Sequence, residues 1–380
     1  MVSIKDRAVR WFIKNVVMPK QEVMNNPGFI VSQFAEKGTE VFMRDLWIPE
    51  SLFVEIEKEI VEKFGGDGRQ ILYSAGKRFG WRYGLVAHFA NIHEVSKEQL
   101  LKNMYLFIEF VTCIWAKEYE YVPDIDNKTF EAKSEDFVVC EKNGIGHLMS
   151  EGCPGGYFAY LMDDPTLEGT HIKCQGKGNE MCELIFAPSE VLKKRGIKHI
   201  TETNIEGLEQ GENYASINAI RKPEFAKYSF NDLVDSGLFK HVGNYVMYLD
   251  ERHFYSEESI IDLLEMEIKK IDGGEDVLFN VCFEFGKKLG KKMGGEQDSA
   301  STYLSATGWG DILIMKKKEK TMVYSNYFPW TIYSDKINFV VFSGIISGLI
   351  SGVSNKEIRL KKKDANIEEG YLTVTLEEVE

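Results

Sequence analysis

Residues 76–84 read GKRFGWRYG, and residues 286–294 read GKKLGKKMG, the same G-K-x-x-G-x-x-x-G spacing 210 positions further on. Each follows a Gly-Gly pair, Gly65–Gly66 or Gly273–Gly274, and an apolar run. Before each pair lies a helical pattern, SLFVEIEKEIVEKF at 51–64 and SIIDLLEMEIKKI at 259–271. A second match comes later: Gly152 and Gly156 in EGCPGGYFAYLM have the spacing of Gly344 and Gly348 in FSGIISGLI. Glycines four apart on a helix form a narrow face on which another backbone can rest closely. The shared order is amphipathic helix, glycine turn, small-residue helix, strands, second small-residue helix, final strands. A repeat of this period means a duplicated domain, not a solenoid.

Outward from these helices, 130–146 (FEAKSEDFVVCEKNGIG) and 311–329 (DILIMKKKEKTMVYSNYFP) read as hairpins with charged turns. KEIRLKK at 356–362 and YLTVTLEEV at 371–379 read as the C-terminal strands. The expected fold class is α+β: two tandem domains, each with helices packed on one face of an antiparallel sheet. The expected divisions are an N-terminal helical extension over 1–35, from the apolar spacing of VRWFIKNVV; a first domain over 36–190; a charged linker over 191–225; and a second domain over 226–380. Between Lys336 and Lys356 lie 19 uncharged residues, near the length of a membrane span. Four Ser, three Gly and two Asn within it point instead to a buried, closely packed helix.

Composition sets the class. The chain has 380 residues, 44% hydrophobic and 28% charged, which is globular and long enough for two domains. Against 46 Lys and Arg stand 59 Asp and Glu, a net charge of −13, so no basic excess is available to displace phosphate counterions from nucleic acid. Six Cys are too few for a disulfide scaffold and suit a reducing compartment. The opening MVSIKDRAVRWF carries charges where a signal sequence would be apolar, so a cytoplasmic location is expected.

The chemistry gathers in 147–188, which holds two of the seven His and three of the six Cys. His171-x-x-Cys174 and Cys182 offer three metal-binding groups around the polar turn QGKGNEM. A hairpin there brings both thiols to one end, as a tetrahedral ion requires. His171 and Cys174, three apart, need a bend or bulge to point together, and a fourth ligand must come from elsewhere. Cys113, Cys140 and Cys282 read as core. His88 and His93, five apart, have the wrong helical spacing for a shared ion and read as structural. Asp163 and Asp164 before Pro165 read as a solvated turn. G-x-S-x-G, H-E-x-x-H, Walker A and Rossmann motifs are all absent from the sequence, so catalysis is not the expected role.

The run G-x-x-x-G-Y … H-x-x-C-x7-C followed by Pro resembles the 4-vinyl reductase-type small-molecule-binding domain. That domain also serves as the sensor of aromatic-responsive bacterial transcription activators and occurs in archaeal hydrocarbon-binding proteins; Bet3-like subunits of vesicle-tethering complexes are more distant relatives. The resemblance puts Cys174 and Cys182 on the family's two hairpin cysteines, His171 on its acidic ligand and His147 on its first cysteine. It implies one structural zinc per chain, held by His147, His171, Cys174 and Cys182, with Cys153 as the rival fourth ligand. In the second half Phe339 stands in place of His147, and Lys362 and Gly370 in place of the cysteines, so that copy is expected to hold no metal. The resemblance further implies a pocket for an apolar or aromatic small molecule, walled by Trp81, Phe107, Phe110, Trp115, Tyr157 and Tyr160. The function implied is binding or sensing through a protein partner or homo-oligomer, the two copies imitating a dimer. A scaffold subunit or a reductase-associated enzyme are the alternatives. The polar pocket residues of phenol-sensing members have no counterpart.

Overall fold

In the computed structural model, Pro49 ends an 11-residue strand and Glu50 opens a helix with no loop between them. The structure describes residues 8, 11, 12, 16, 22–36, 39–116, 118–139, 144–205, 208, 223–242, 245–294, 297–317, 320–366 and 370–379. The first half runs β1 (Glu22–Asn26), β2 (Phe29–Glu36), β3 (Thr39–Pro49), α1 (Glu50–Val86), α2 (Lys97–Trp115), β4 (Glu118–Asp124), β5 (Thr129–Glu135), α3 (Leu148–Leu161), β6 (Leu167–Lys173), β7 (Cys182–Pro188) and α4 (Ser189–Lys194). The second runs α5 (Phe230–Asp235), β8 (Lys240–Val242), β9 (Tyr245–Tyr248), β10 (Glu251–Glu257), α6 (Ser259–Ile268), α7 (Gly274–Lys292), α8 (Gln297–Ala306), β11 (Asp311–Lys317), β12 (Lys320–Asn326), α9 (Val340–Ser354), β13 (Ile358–Asn366) and β14 (Tyr371–Glu378). The fold is α+β, with nine α-helices and three antiparallel sheets among the described residues.

Each half has its own four-stranded sheet, in the order β4-β5-β7-β6 and β11-β12-β14-β13. The third sheet is shared. Its order is β1-β2-β3-β10-β9-β8, three strands from each half, joined where β3 pairs antiparallel with β10 from Asp45↔Glu257 to Pro49↔His253. Buried charge reinforces that joint: Arg82 meets Asp262 at 2.8 Å and Arg252 meets Glu50 at 2.9 Å.

The glycine spacings mark where helices touch backbone to backbone. A Cβ on Gly80 would sit 1.8 Å from the Cys153 carbonyl oxygen, and one on Gly156 the same distance from that of Lys77. In the second half a Cβ on Gly348 would sit 2.1 Å from the Phe283 oxygen. No side chain fits at such distances, so α1 packs on α3, and α7 on α9, only through glycine. Gly65 and Gly273 do a different job. Both take positive φ, 55° and 73°; the first kinks α1 and the second separates α6 from α7.

Two expectations are corrected. The stretch 1–35 is not a helical extension throughout, because from residue 22 it supplies β1 and most of β2 to the shared sheet; most of VRWFIKNVV lies outside the described residues. The first hairpin is β4–β5, so the described residues of 130–146 contain one strand, ending at Glu135. The hairpin expected within 311–329 is β11–β12. The uncharged stretch after Lys336 forms α9, buried along nearly its whole length, and among the described residues no helix is long and apolar enough to cross a membrane.

Candidate metal centre

The β6–β7 turn is built to bring side chains to one point. Cys174 leaves β6 and its carbonyl accepts from Lys177 and Asn179, while Asn179 Oδ1 accepts from the Cys174 N–H at 3.1 Å. Gly178 at φ 93° closes the turn. The pairing of His171 with Leu184 is followed by that of Lys173 with Glu183, so Ile172 is a bulge residue. In a regular strand residues three apart face opposite ways. One extra residue restores a common face, and His171 joins Cys174 and Cys182 with one ligand atom from each, all within 4.8 Å of one another. Both cysteines are buried and outside any disulfide, and the His171 side chain is fully buried. The Gln175 N–H points at Cys182 Sγ at 3.4 Å.

The hairpin meets α3 at Gly169. A Cβ there would lie 2.3 Å from the Glu151 carbonyl oxygen, so the strand rests on the helix backbone. That contact sets His171, two residues on, beside the Glu151 carboxylate: Oε1 lies 3.0 Å from Nδ1 and accepts from the backbone N–H at 3.3 Å. His171 Nε2 has no hydrogen-bond partner. Burial opposes a charged ring here, but Cys182, Glu151 and Cys174 together hold the imidazole proton up to a pKa of about 10. The site favours positive charge, whether a proton or a metal ion.

His147 is the residue that caps α3, and it is not in this three-residue group. It is wholly buried, with both ring nitrogens lacking hydrogen bonds and Nδ1 3.8 Å from Glu57 Oε2. Glu57 itself accepts from the N–H groups of Leu148 and Met149 at 3.2 and 2.9 Å. Burial, opposed by His147 and those two N–H groups, pushes its carboxyl up to about 7. Cys153 lies on α3 against Gly80, its thiol pushed up to about 12 by burial, and belongs to the packing surface.

In the second half Glu265 accepts from the Val341 N–H at 2.8 Å and so repeats the role of Glu57 at the start of α9. β13, the strand that follows α9 as β6 follows α3, contains no histidine but carries Lys363. Its ammonium donates to the Asn338 carbonyl, and its charge acts on Glu265. Both glutamates lie inside the matched helical patterns at 51–64 and 259–271 without being singled out there, and both stand eight positions before the glycine with positive φ, Gly65 or Gly273.

A small apolar cavity of about 30 Å³ lies near the other face of α3, between Phe53, Phe79, Trp115, Cys153, Phe254 and Ile260. Its walls come from both halves. Of the aromatic residues expected to line a pocket, Trp115 does so. Trp81 packs edge-on against Tyr160, and Tyr157 against Phe89. The side chains of Phe107, Phe110 and Cys113, and the whole of Cys140, lie outside the described residues. His93 forms an exposed contact with Asp163 at 3.0 Å, and Cys282 is buried under Gly344.

No protein-family profile matches the chain, and no curated protein does. Among solved structures it is similar to the phenol-responsive sensory domain of the transcription activator PoxR, determined with phenol. The identity is 16%, covering 50% of this chain and 92% of that one, with a TM-score of 0.31. Values this low carry no ligand or activity from that protein to this chain.

Proposed function

We propose that this is a non-catalytic small-molecule-binding protein of two tandem 4-vinyl reductase-type domains, 36–190 and 226–380, joined by 191–225. On this reading the first domain is braced by one zinc ion and the second has lost it. The observation that carries the metal is the convergence of His171, Cys174 and Cys182 on one buried point with His171 Nε2 left without a partner. An imidazole nitrogen and two thiols are a zinc donor set. His147, buried with both nitrogens unpaired one turn before Glu151, is the fourth ligand proposed. When bound, such an ion supplies cross-linking energy to the hairpin and no open position for substrate.

The cavity between the halves is the proposed ligand site. At about 30 Å³ it has the volume of one water, so an aromatic guest must part its walls. Met149, Ser150 and Cys153 of α3 line it, and the same helix carries His147 and Glu151 at the metal end. Ligand entry would therefore move the helix on which the metal hairpin rests, and a protein partner that touches either element would register it. The repeated element order and the paired capping glutamates support the duplication.

Native mass spectrometry with metal analysis of untagged protein tests this reading. One zinc per chain and a retained apolar molecule are expected. Protein that takes up no zinc when supplied with it, from expression through purification, overturns the metal assignment. A panel of benzene, phenol and short alkanes that leaves the melting temperature unchanged overturns the ligand site.

A further inference from the structure

Glu151 is a buried carboxylate that the zinc reading does not use, and it is absent from the half without the donor set. Counting from the residues that cap α3 and α9, His147 and Phe339, Glu151 corresponds to Ser343. The strand that follows α9, β13, contains no histidine at all. The carboxylate and the imidazole thus occur together in one half and are both missing from the other. Glu57 does not show this behaviour: its counterpart Glu265 caps a helix in the half with no histidine beside it, so helix capping accounts for Glu57.

The contact itself has a direction. Glu151 Oε1 takes the Nδ1 side of the His171 ring at 3.0 Å and also the backbone N–H of the same residue. A carboxylate accepts only, so Nδ1 must carry the proton. Nε2 is left buried without a hydrogen bond, and a nitrogen of this ring lies within 4.8 Å of both sulfurs. A carboxylate behind a metal-binding imidazole fixes the tautomer, holds the ring plane and makes the coordinating nitrogen more basic. We propose that Glu151 is the positioning residue of the metal centre, holding His171 as the Nδ1–H tautomer so that Nε2 binds the ion. This rests on the zinc reading and deepens it.

The test uses the full-length protein and the variant Glu151→Gln. The amide oxygen still accepts from Nδ1–H, but without the negative charge. Zinc affinity, measured by competition with a chromophoric chelator, is expected to fall about 10- to 100-fold at unchanged stoichiometry. Both affinities are measured well below the melting temperatures of the two metal-free proteins, with their circular dichroism matched, so that a lost fold cannot account for the difference. Equal zinc affinity in the two proteins overturns the proposal. Absence of zinc binding by wild type sinks the zinc reading itself and is told apart by that control alone. Should the variant fail to fold, wild type loaded with cadmium-113 and labelled with nitrogen-15 histidine gives the answer directly. Coupling of the metal to Nε2 of His171 supports the assignment; coupling to Nδ1, or none, overturns it.

Discussion

Gly156→Ala is the sharpest probe of the helix pairing. The added Cβ would stand 1.8 Å from the Lys77 carbonyl oxygen, 2.7 Å from its carbon and 2.9 Å from the Trp81 nitrogen. All three are backbone atoms of α1, so no side chain can swing away. An ordinary contact is restored only if the helices part by about 1.6 Å, which strips dispersion contacts along their shared face. Overpacking of this kind costs about 3 kcal/mol, the upper end of its usual range. In a domain of this size that lowers the melting temperature by about 6–12 °C. Gly66→Ala is the control: it lies in α1 without a positive φ, and a methyl there would meet nothing within 4 Å, so a gain of up to about 1 kcal/mol is expected from the stiffer backbone. Scanning calorimetry of both variants decides. If Gly156→Ala melts within about 2 °C of wild type, the two backbones do not touch there and the glycine argument fails for both halves.

Three further outcomes follow from the same structure. Cys174→Ser or Cys182→Ser should each abolish zinc retention and lower the melting temperature; unchanged metal content in both would remove the centre. Glu265 is fully buried, and desolvation, opposed by the Val341 and Val340 N–H groups and Lys363, raises its carboxyl from 4.5 to about 7. The folded state then holds a proton that the unfolded chain releases, so stability is fullest below pH 4.5 and declines as pH rises to about 7; urea titrations of Glu265→Gln should show that slope flattened, and an unaltered slope would refute its assignment to this group. Lys77 and Glu168, both with wholly buried side chains, meet at 2.7 Å, and Lys77→Met should cost about 3–5 kcal/mol by stranding the carboxylate. Adding Glu168→Leu should return part of that loss, and a double variant no better than the single would contradict the pair as its source.

The glycine helices and the metal hairpin are legible in the sequence because each rests on a local rule. A backbone contact admits only glycine, so the 210-residue echo of GKRFGWRYG in GKKLGKKMG survives whatever the surrounding side chains become. The need for a bulge between His171 and Cys174 follows from strand geometry alone, and the register skip at Ile172 supplies it. What escapes is non-local. β1 and β2 pair with each other and then with β3, but the sheet they belong to is completed only by strands two hundred positions away. The strand EYEYVPD at 118–124 is rich in acids and holds a proline, so its pattern is weak and the first hairpin reads one strand late. Glu57 and Glu151 act on backbone N–H groups and a ring that lie far from them in sequence, and nothing in their immediate neighbours marks them out.

Lys363 carries a consequence beyond its own contacts. Its positive charge is covalently attached, so the cation that acts on Glu265 in that lobe is present as soon as translation ends. On the zinc reading, the other lobe must draw its cation from the surroundings and can lose it to a competitor. Starvation for zinc would then loosen one end of the molecule while the other stayed fully assembled, and the shared sheet would hold the slack lobe tethered for recharging.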